Sequence, residues 1–127
     1  MDDANVPSLL SMPYLGYCKK EDTLYQHTRS FILIHHNPYY YQGTCASGIG
    51  SPHTPKNYIW HIALSMQGLT GTKEEAKKMI NLILETSNNE GLCHEGFNKD
   101  EPSEYTRSWF AWANSSVSYT HLTLPTT

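Results

Sequence analysis

The strongest constraint on this chain is a pair of helical segments that follow one another with a single break between them. Residues 57–70 read as a nearly all-apolar helix, with Ile59, Ile62, Ala63 and Met66 at helical spacing and Gly68 and Gly71 closing it. A helix that is apolar all round has to be surrounded by protein. The next segment opens on Thr72-Lys-Glu-Glu75, a capping box in which the threonine hydroxyl and the glutamate carboxylate satisfy first-turn amides reciprocally. Ala76, Met79, Ile80 and Ile83 then form one stripe while Lys73, Lys77 and Lys78 point outward. An amphipathic helix and other elements must therefore cover a buried one.

The remaining segments are punctuated by proline and glycine. Val6, Leu9, Leu10, Leu15 and Tyr17 are apolar, but Pro7 stands near the start of this stretch and Pro13 inside it. An interior proline costs a helix about 3 kcal/mol, so two short helical pieces are predicted between residues 6 and 18. Asp22 is placed to cap a helix reaching about His36, with Leu24, Phe31, Ile32 and Ile34 inward and Lys20, Gln26 and Arg29 polar; the β-branched content of residues 31–34 also allows a strand. Residues 39–55 read as an irregular functional loop in which Tyr39, Tyr40 and Tyr41 pair briefly as a ribbon. After a break at residues 88–91, a short loop carries residues 93–100, and Pro102 opens a final helix through Asn114. The rhythm is helix, loop, helix, a mainly α chain. Residues 115–127 lose that rhythm, being hydroxyl-rich and without a stripe, and read as a foreign tail resembling translated adaptor sequence. The chain thus divides into 1–114 and 115–127.

With 127 residues and 39% hydrophobic content there is material for one core, a domain or a piece of one. The net charge of -3 without a Lys/Arg run excludes the footprint of a nucleic-acid binder. Cys18, Cys45 and Cys93 are odd in number and lack a C-x-x-C spacing, which leaves buried or free thiols and no structural zinc. No apolar run nears the ~20 residues needed to cross a bilayer, and no basic region follows Met1, so no membrane partner is expected; the compartment stays open, with the cytoplasm preferred. Nine tyrosines, three tryptophans and seven histidines supply flat amphipathic side chains suited to a neutral, hydroxyl-rich partner.

The chemistry-bearing candidates follow from that bias. Glu95, after His94 and between Gly91 and Gly96, has the loop setting of a general base, although a solvated loop carboxylate reads the same way. Asp2, Asp3 and Asn5 suit either a helix cap near Val6 or sugar hydroxyls. Residues 48–55 lack the order of a phosphate loop and present Ser51, His53 and Thr54. His35, His36, His53, His61 and His94 fall in no short ligand spacing, and no metal site is expected. Trp60, Trp109 and Trp112 read as helical core residues, the last two sharing a face. Arg107 calls for an anionic partner, with Glu95, Asp100 and Glu104 available.

Four ordered motifs carry a resemblance: residues 2–16 from Asp2, Asp3 and Asn5 onward, residues 48–55 with Tyr58 to Trp60, the His94-Glu95 pair, and residues 106–114 from Thr106 and Arg107 to Asn114. Over about residues 1–114 the chain resembles glycoside hydrolase family 125. The resemblance implies the C-terminal portion of an (α/α)6 barrel and a metal-independent, cofactor-free, inverting exo-α-1,6-mannosidase acting on α-mannosides or N-glycan-derived oligosaccharides. It implies that Glu95 is the general base and that the general acid, an upstream Asp, is not in this chain. Asp2, Asp3, Asn5, Ser51, His53, Thr54, Trp60, His94 and Arg107 are then substrate-binding candidates. Gly96 departs from the small polar residue common in the family, which would loosen the Glu95 loop. The competing readings are a non-catalytic carbohydrate-binding module and a glucoamylase-like inverting hydrolase. Alone, the chain is expected to be inactive and poorly folded, with apolar faces around residues 59–66 and 79–83 uncovered.

Overall fold

The computed structural model describes residues 2–87, 93–107, 110 and 113–114. In chain order these form α1 (Thr23–Ile32), β1 (Tyr40–Gln42), β2 (Ser47–Ile49), β3 (Tyr58–Trp60), α2 (His61–Leu69), α3 (Lys73–Thr86), β4 (Gly96–Asn98) and β5 (Tyr105–Thr106). β1 and β2 make an antiparallel ribbon with Tyr40 opposite Ile49. β4 is the middle strand of a second antiparallel sheet in the order β3-β4-β5, with Trp60 opposite Gly96 and Gly96 opposite Thr106. No helix among the described residues is long and apolar enough to cross a membrane.

The helix starts obey local chemistry. The Asp22 carboxylate accepts from the N–H groups of Leu24 and Tyr25 and so caps α1. Thr72 Oγ1 accepts from Glu75 N at 3.2 Å at the start of α3, while the Glu75 carboxylate is engaged by Arg29 and by Gln67. Ala76, Met79, Ile80 and Ile83 form the buried stripe of α3 as expected. α2 is enclosed, with Ile62, Ala63, Leu64 and Met66 all in the core.

The expectation of a mainly α chain forming part of an (α/α)6 barrel is overturned: the described residues are mixed α and β, with three helices and two small antiparallel sheets. Residues 57–60 are not the first turn of a helix, because Tyr58, Ile59 and Trp60 pair with β4 before the chain turns into α2. Residues 93–100 are not simply a loop, since they contain β4, and Tyr105–Thr106 is a strand where a helix beginning at Pro102 was expected. Aromatic and β-branched residues at these positions fit a half-buried pleated surface better than a helix. Residues 6–18 form consecutive turns with no helix, because the Asp2 carboxylate and the Ser8 and Ser11 hydroxyls take the backbone donors of Ser8, Leu9, Leu10 and Ser11.

α1 ends at Ile32 rather than His36, and its buried face is Tyr25, Arg29 and Ile32. Leu24 and Phe31, expected inward, are exposed. Arg29 is buried because its guanidinium has partners, Gln67 O at 2.7 Å and Glu75 Oε1 at 3.0 Å. Asn37, fully buried, donates to the carbonyls of Asp2 and Ile32 and stitches the start of the chain to the end of α1. The faces expected to be uncovered are covered within the chain itself, for Ile59, Met66, Met79 and Ile83 all belong to one core cluster. Trp109, Trp112, the break at residues 88–91 and the tail at 115–127 lie outside the described residues.

Candidate active site

The site is built on the entry to β4. Antiparallel pairing sets Gly96 opposite Thr106, so Glu95 N–H donates to Thr106 O at 3.2 Å and Gly96 N–H donates to Thr106 Oγ1 at 3.1 Å. The same hydroxyl donates to Glu95 Oε1 at 3.2 Å. One hydroxyl can do both, having one proton and two lone pairs. Arg107 Nε lies 3.5 Å from Glu95 Oε2, with the Glu95 side chain 16% exposed and that of Arg107 67% exposed. Of the three acidic partners open to Arg107, Glu95 is the one engaged, whereas Asp100 pairs with Lys99 at 2.9 Å.

Behind Glu95 the chain is held by buried rings. His94 stacks on Tyr105 with ring centres 3.9 Å apart and planes 3° off parallel, and His61 stacks on His94 at 5.4 Å and meets Phe97 at a tilt, 4.7 Å away. The His94 N–H donates to His61 Nδ1 at 2.8 Å, which requires that nitrogen to be bare. His61 Nε2 then carries the proton and donates to Thr86 Oγ1 at 2.8 Å, and the Thr86 hydroxyl passes its own to Leu82 O at 2.8 Å. Burial, helped by the neighbouring His94, lowers the His61 pKa to about 3, so the ring stays neutral in this relay. Cys93 is pinned from the other side: its N–H donates to Asn114 Oδ1, and its carbonyl accepts from Phe110 N and Asn114 Nδ2. Burial pushes the Cys93 thiol up to about 11, a structural cysteine with little thiolate character. All three cysteines are free, Cys45 being exposed and Cys18 half-buried.

Gly96 fits this arrangement through what it lacks. A Cβ there would stand 3.2 Å from Trp60 Cδ1, 3.3 Å from Trp60 Nε1 and 3.4 Å from Thr106 Oγ1. Rather than a loosened loop, Gly96 is a strand residue whose bare face receives the indole. Trp60 Nε1–H donates to Thr54 Oγ1 at 3.0 Å, and Phe110 meets the ring edge-on at 6.1 Å. Thr54 belongs to the turn that begins at Ser51, whose Oγ accepts from His53 N at 3.2 Å. Ser51 Oγ donates to Asp3 Oδ2 at 3.1 Å, and Asn5 Nδ2 reaches both, at 2.9 Å from Asp3 Oδ2 and 3.3 Å from Ser51 Oγ. Ala4 N–H bonds Gly50 O at 2.9 Å, and on another side Gly50 lies so near the backbone of Tyr58 that a Cβ would collide with Tyr58 O.

The structure therefore joins Asp3, Asn5, Ser51, Thr54, Trp60, Glu95 and Arg107 through continuous contacts, with His94 buried behind Glu95 and His53 exposed on the Ser51 turn. Asp2 is directed elsewhere: its carboxylate accepts from Leu9 N at 2.8 Å and Leu10 N at 3.3 Å, while burial raises its pKa against those two bonds. Among the described residues no group of three His, Cys, Asp or Glu side chains is arranged to hold a metal ion. Sequence reasoning missed Thr106 and Tyr105 as site residues because it placed them on a helix. A β-branched and aromatic pair between the Pro102 turn and Arg107 was the signal for a strand.

A family model described as metal-independent alpha-mannosidase (GH125) matches residues 1–122. The meiotically up-regulated gene 157 protein of Schizosaccharomyces pombe is 43% identical over 117 residues, 91% of this chain and 23% of that protein. A metal-independent alpha-mannosidase structure from Streptococcus pneumoniae, a non-productive substrate complex with alpha-1,6-mannobiose, is 51% identical at a TM-score of 0.94, covering 96% of this chain and 29% of that one. The chain thus spans about a quarter of the length of these relatives. With the model match running through nearly the whole of it, the chain belongs to glycoside hydrolase family 125, the metal-independent alpha-mannosidases.

Proposed function

We propose that this chain is a segment of a longer inverting exo-α-1,6-mannosidase, in which Glu95 is the general base. The observation that carries this reading is the state of the Glu95 carboxylate: partly open, and held at one oxygen by Thr106 and at the other by Arg107. Each carboxylate oxygen has about two lone-pair sites, and the described residues take one on each, which leaves one on each to receive a water. Glu95 removes a proton from that water as it attacks the anomeric carbon from the face opposite the leaving oxygen. A carboxylic acid from outside this chain protonates the leaving oxygen, roughly 6.5 to 9.5 Å from Glu95 as inversion requires. Asp3, Asn5, His53, Thr54 and Arg107 offer hydrogen bonds to sugar hydroxyls, while the buried Ser51 hydroxyl, its proton and both lone pairs already used, holds Asp3 and Asn5 in place; Trp60 and His94 back the site, and Asp2 serves the turn that follows it. The α-1,6 linkage is supported by family membership and by the mannobiose bound to the Streptococcus pneumoniae relative.

The test is proton NMR of sugar freshly released from α-1,6-mannobiose by the full-length polypeptide carrying this segment. β-Mannose should appear first. Initial release of the α-anomer overturns inversion, and tight mannoside binding without hydrolysis makes the protein a carbohydrate-binding one instead.

A further inference from the structure

We propose that Thr106 and Arg107 are a positioning pair for Glu95, fixing both carboxylate oxygens in the direction the attacking water needs. The inference rests on Glu95 being the base and assigns a role to each neighbour. Strand register places Thr106 opposite Gly96, so its hydroxyl bridges the Gly96 N–H and Glu95 Oε1 at 3.1 and 3.2 Å and ties the side chain to the sheet. At Arg107, the next residue, the backbone takes φ +49°, a left-handed conformation that L side chains other than Asn and Asp rarely adopt. Glycine is the unstrained residue for such a backbone conformation. An arginine there brings Nε within 3.5 Å of Glu95 Oε2, and such strain persists only where the surroundings fix it, commonly at functional sites. Fold stabilisation is a poor explanation for the contact, because an ion pair with one partner this exposed contributes little to stability.

The experiment compares Thr106→Val, Thr106→Ser and Arg107→Gly in the full-length polypeptide, with wild type and Glu95→Gln as references, measuring kcat, KM and melting temperature on an α-1,6-mannoside. Valine keeps the shape and removes the hydroxyl; a hydrogen bond to a charged group corresponds to a loss of about 10- to 100-fold in kcat, with KM little changed. Serine should restore most of that kcat. Glycine at 107 suits the backbone and deletes the charge, so kcat should fall about threefold with no loss of melting temperature. Wild-type kcat in Thr106→Val, or a well-folded Thr106→Ser as slow as valine, overturns the proposal. Should Thr106→Val not fold, Arg107→Gly decides, since unchanged kcat there overturns the pair. Wild-type activity in Glu95→Gln removes the base assignment and this proposal with it, whereas loss in Glu95→Gln with none in Thr106→Val removes the proposal alone.

Discussion

Two arginine–glutamate pairs in this chain use the same chemistry in opposite ways. Arg29 and Glu75 approach to 3.0 Å with side chains 11% and 23% exposed. Each also has a second partner, since Arg29 donates to Gln67 O and Gln67 Nε2 donates to Glu75 Oε2, although the buried Arg29 Nε has no hydrogen-bond partner among the described residues. That pair fastens α1 to the last turn of α2 and the first turn of α3. Arg107 and Glu95 stand farther apart, at 3.5 Å, with the arginine 67% exposed although the carboxylate is only 16% exposed. Each carboxylate takes one contact on each oxygen, so the difference lies in the cation: a buried guanidinium bridging three helices fastens them, whereas one that stays in solvent orients the carboxylate beside it and leaves it able to take a proton.

The largest effect that can break this comparison is on turnover. Glu95→Gln should lower kcat by about 10²- to 10⁴-fold, the usual contribution of a general base, with the melting temperature unchanged. If the melting temperature fell instead, Glu95 would be a fastening residue like Glu75. Next comes Glu75→Ala, which leaves Arg29 buried without its carboxylate. Breaking a buried pair costs about 3 to 5 kcal/mol, and the partial exposure of Glu75 reduces the expected loss to about 2 kcal/mol. Denaturant unfolding should show that loss while kcat of the folded protein stays near wild type. A kcat loss beyond the fraction unfolded would mean that the two pairs are coupled.

How much of this was legible in the sequence depended on how far each group's partners lie along the chain. The Asp22 and Thr72 caps and the α3 stripe were readable because a cap and its amides are within three residues of one another. Burial of Arg29 was not, because its partners are Gln67 and Glu75. β3, β4 and β5 were missed for a related reason: strands of two or three residues are too short to display alternation, and Ile59 is matched to Phe97 only by tertiary pairing. Glu95 and the polar set at Asp3, Asn5, Ser51 and Thr54 were named from residue type and motif, yet their connection through Trp60 and Gly96 depends on that unread sheet.

A pH prediction separates the ring behind the site from the carboxylate in it. His61 has its folded pKa lowered to about 3, against an ordinary value of 6.5. A depressed pKa gives stability that is present above 6.5 and is lost as pH falls toward 3, because only the unfolded chain then takes up the proton. Between pH 7 and pH 5 the loss from this group should be about 2 kcal/mol, at 1.36 kcal/mol per unit below 6.5. Denaturant midpoints at the two pH values, compared with those of His61→Gln, provide the measurement. An equal pH slope in the variant would show that His61 is not the responsible group, and that the neutral relay from His94 to Thr86 does not set the acid sensitivity of this half.

The smallest expected effects distinguish the core from the site at two glycines. A Cβ on Gly48 would press to 2.8 Å from Leu64 Cδ2 and 2.9 Å from Ile59 Cγ2, both enclosed in the core. Overpacking of this kind costs about 1 to 3 kcal/mol, so Gly48→Ala should lower the melting temperature and leave kcat of the folded protein alone. At Gly96 the crowding is milder, the nearest atoms being Trp60 Cδ1 at 3.2 Å, Trp60 Nε1 at 3.3 Å and Thr106 Oγ1 at 3.4 Å. A shift of a few tenths of an ångström by the Trp60 indole relieves it, and the new methyl is left in van der Waals contact with the Thr106 hydroxyl. Because that hydroxyl holds Glu95 Oε1, Gly96→Ala should cost less than about 1 kcal/mol in stability while reducing kcat a few-fold, a misplacement effect. Paired melting and kinetic measurements on the two alanine variants test the contrast directly. A Gly96→Ala protein that melts earlier than Gly48→Ala with wild-type kcat would place Gly96 in the fastening half of the molecule, and would leave Thr106 as a strand residue with no hold on Glu95.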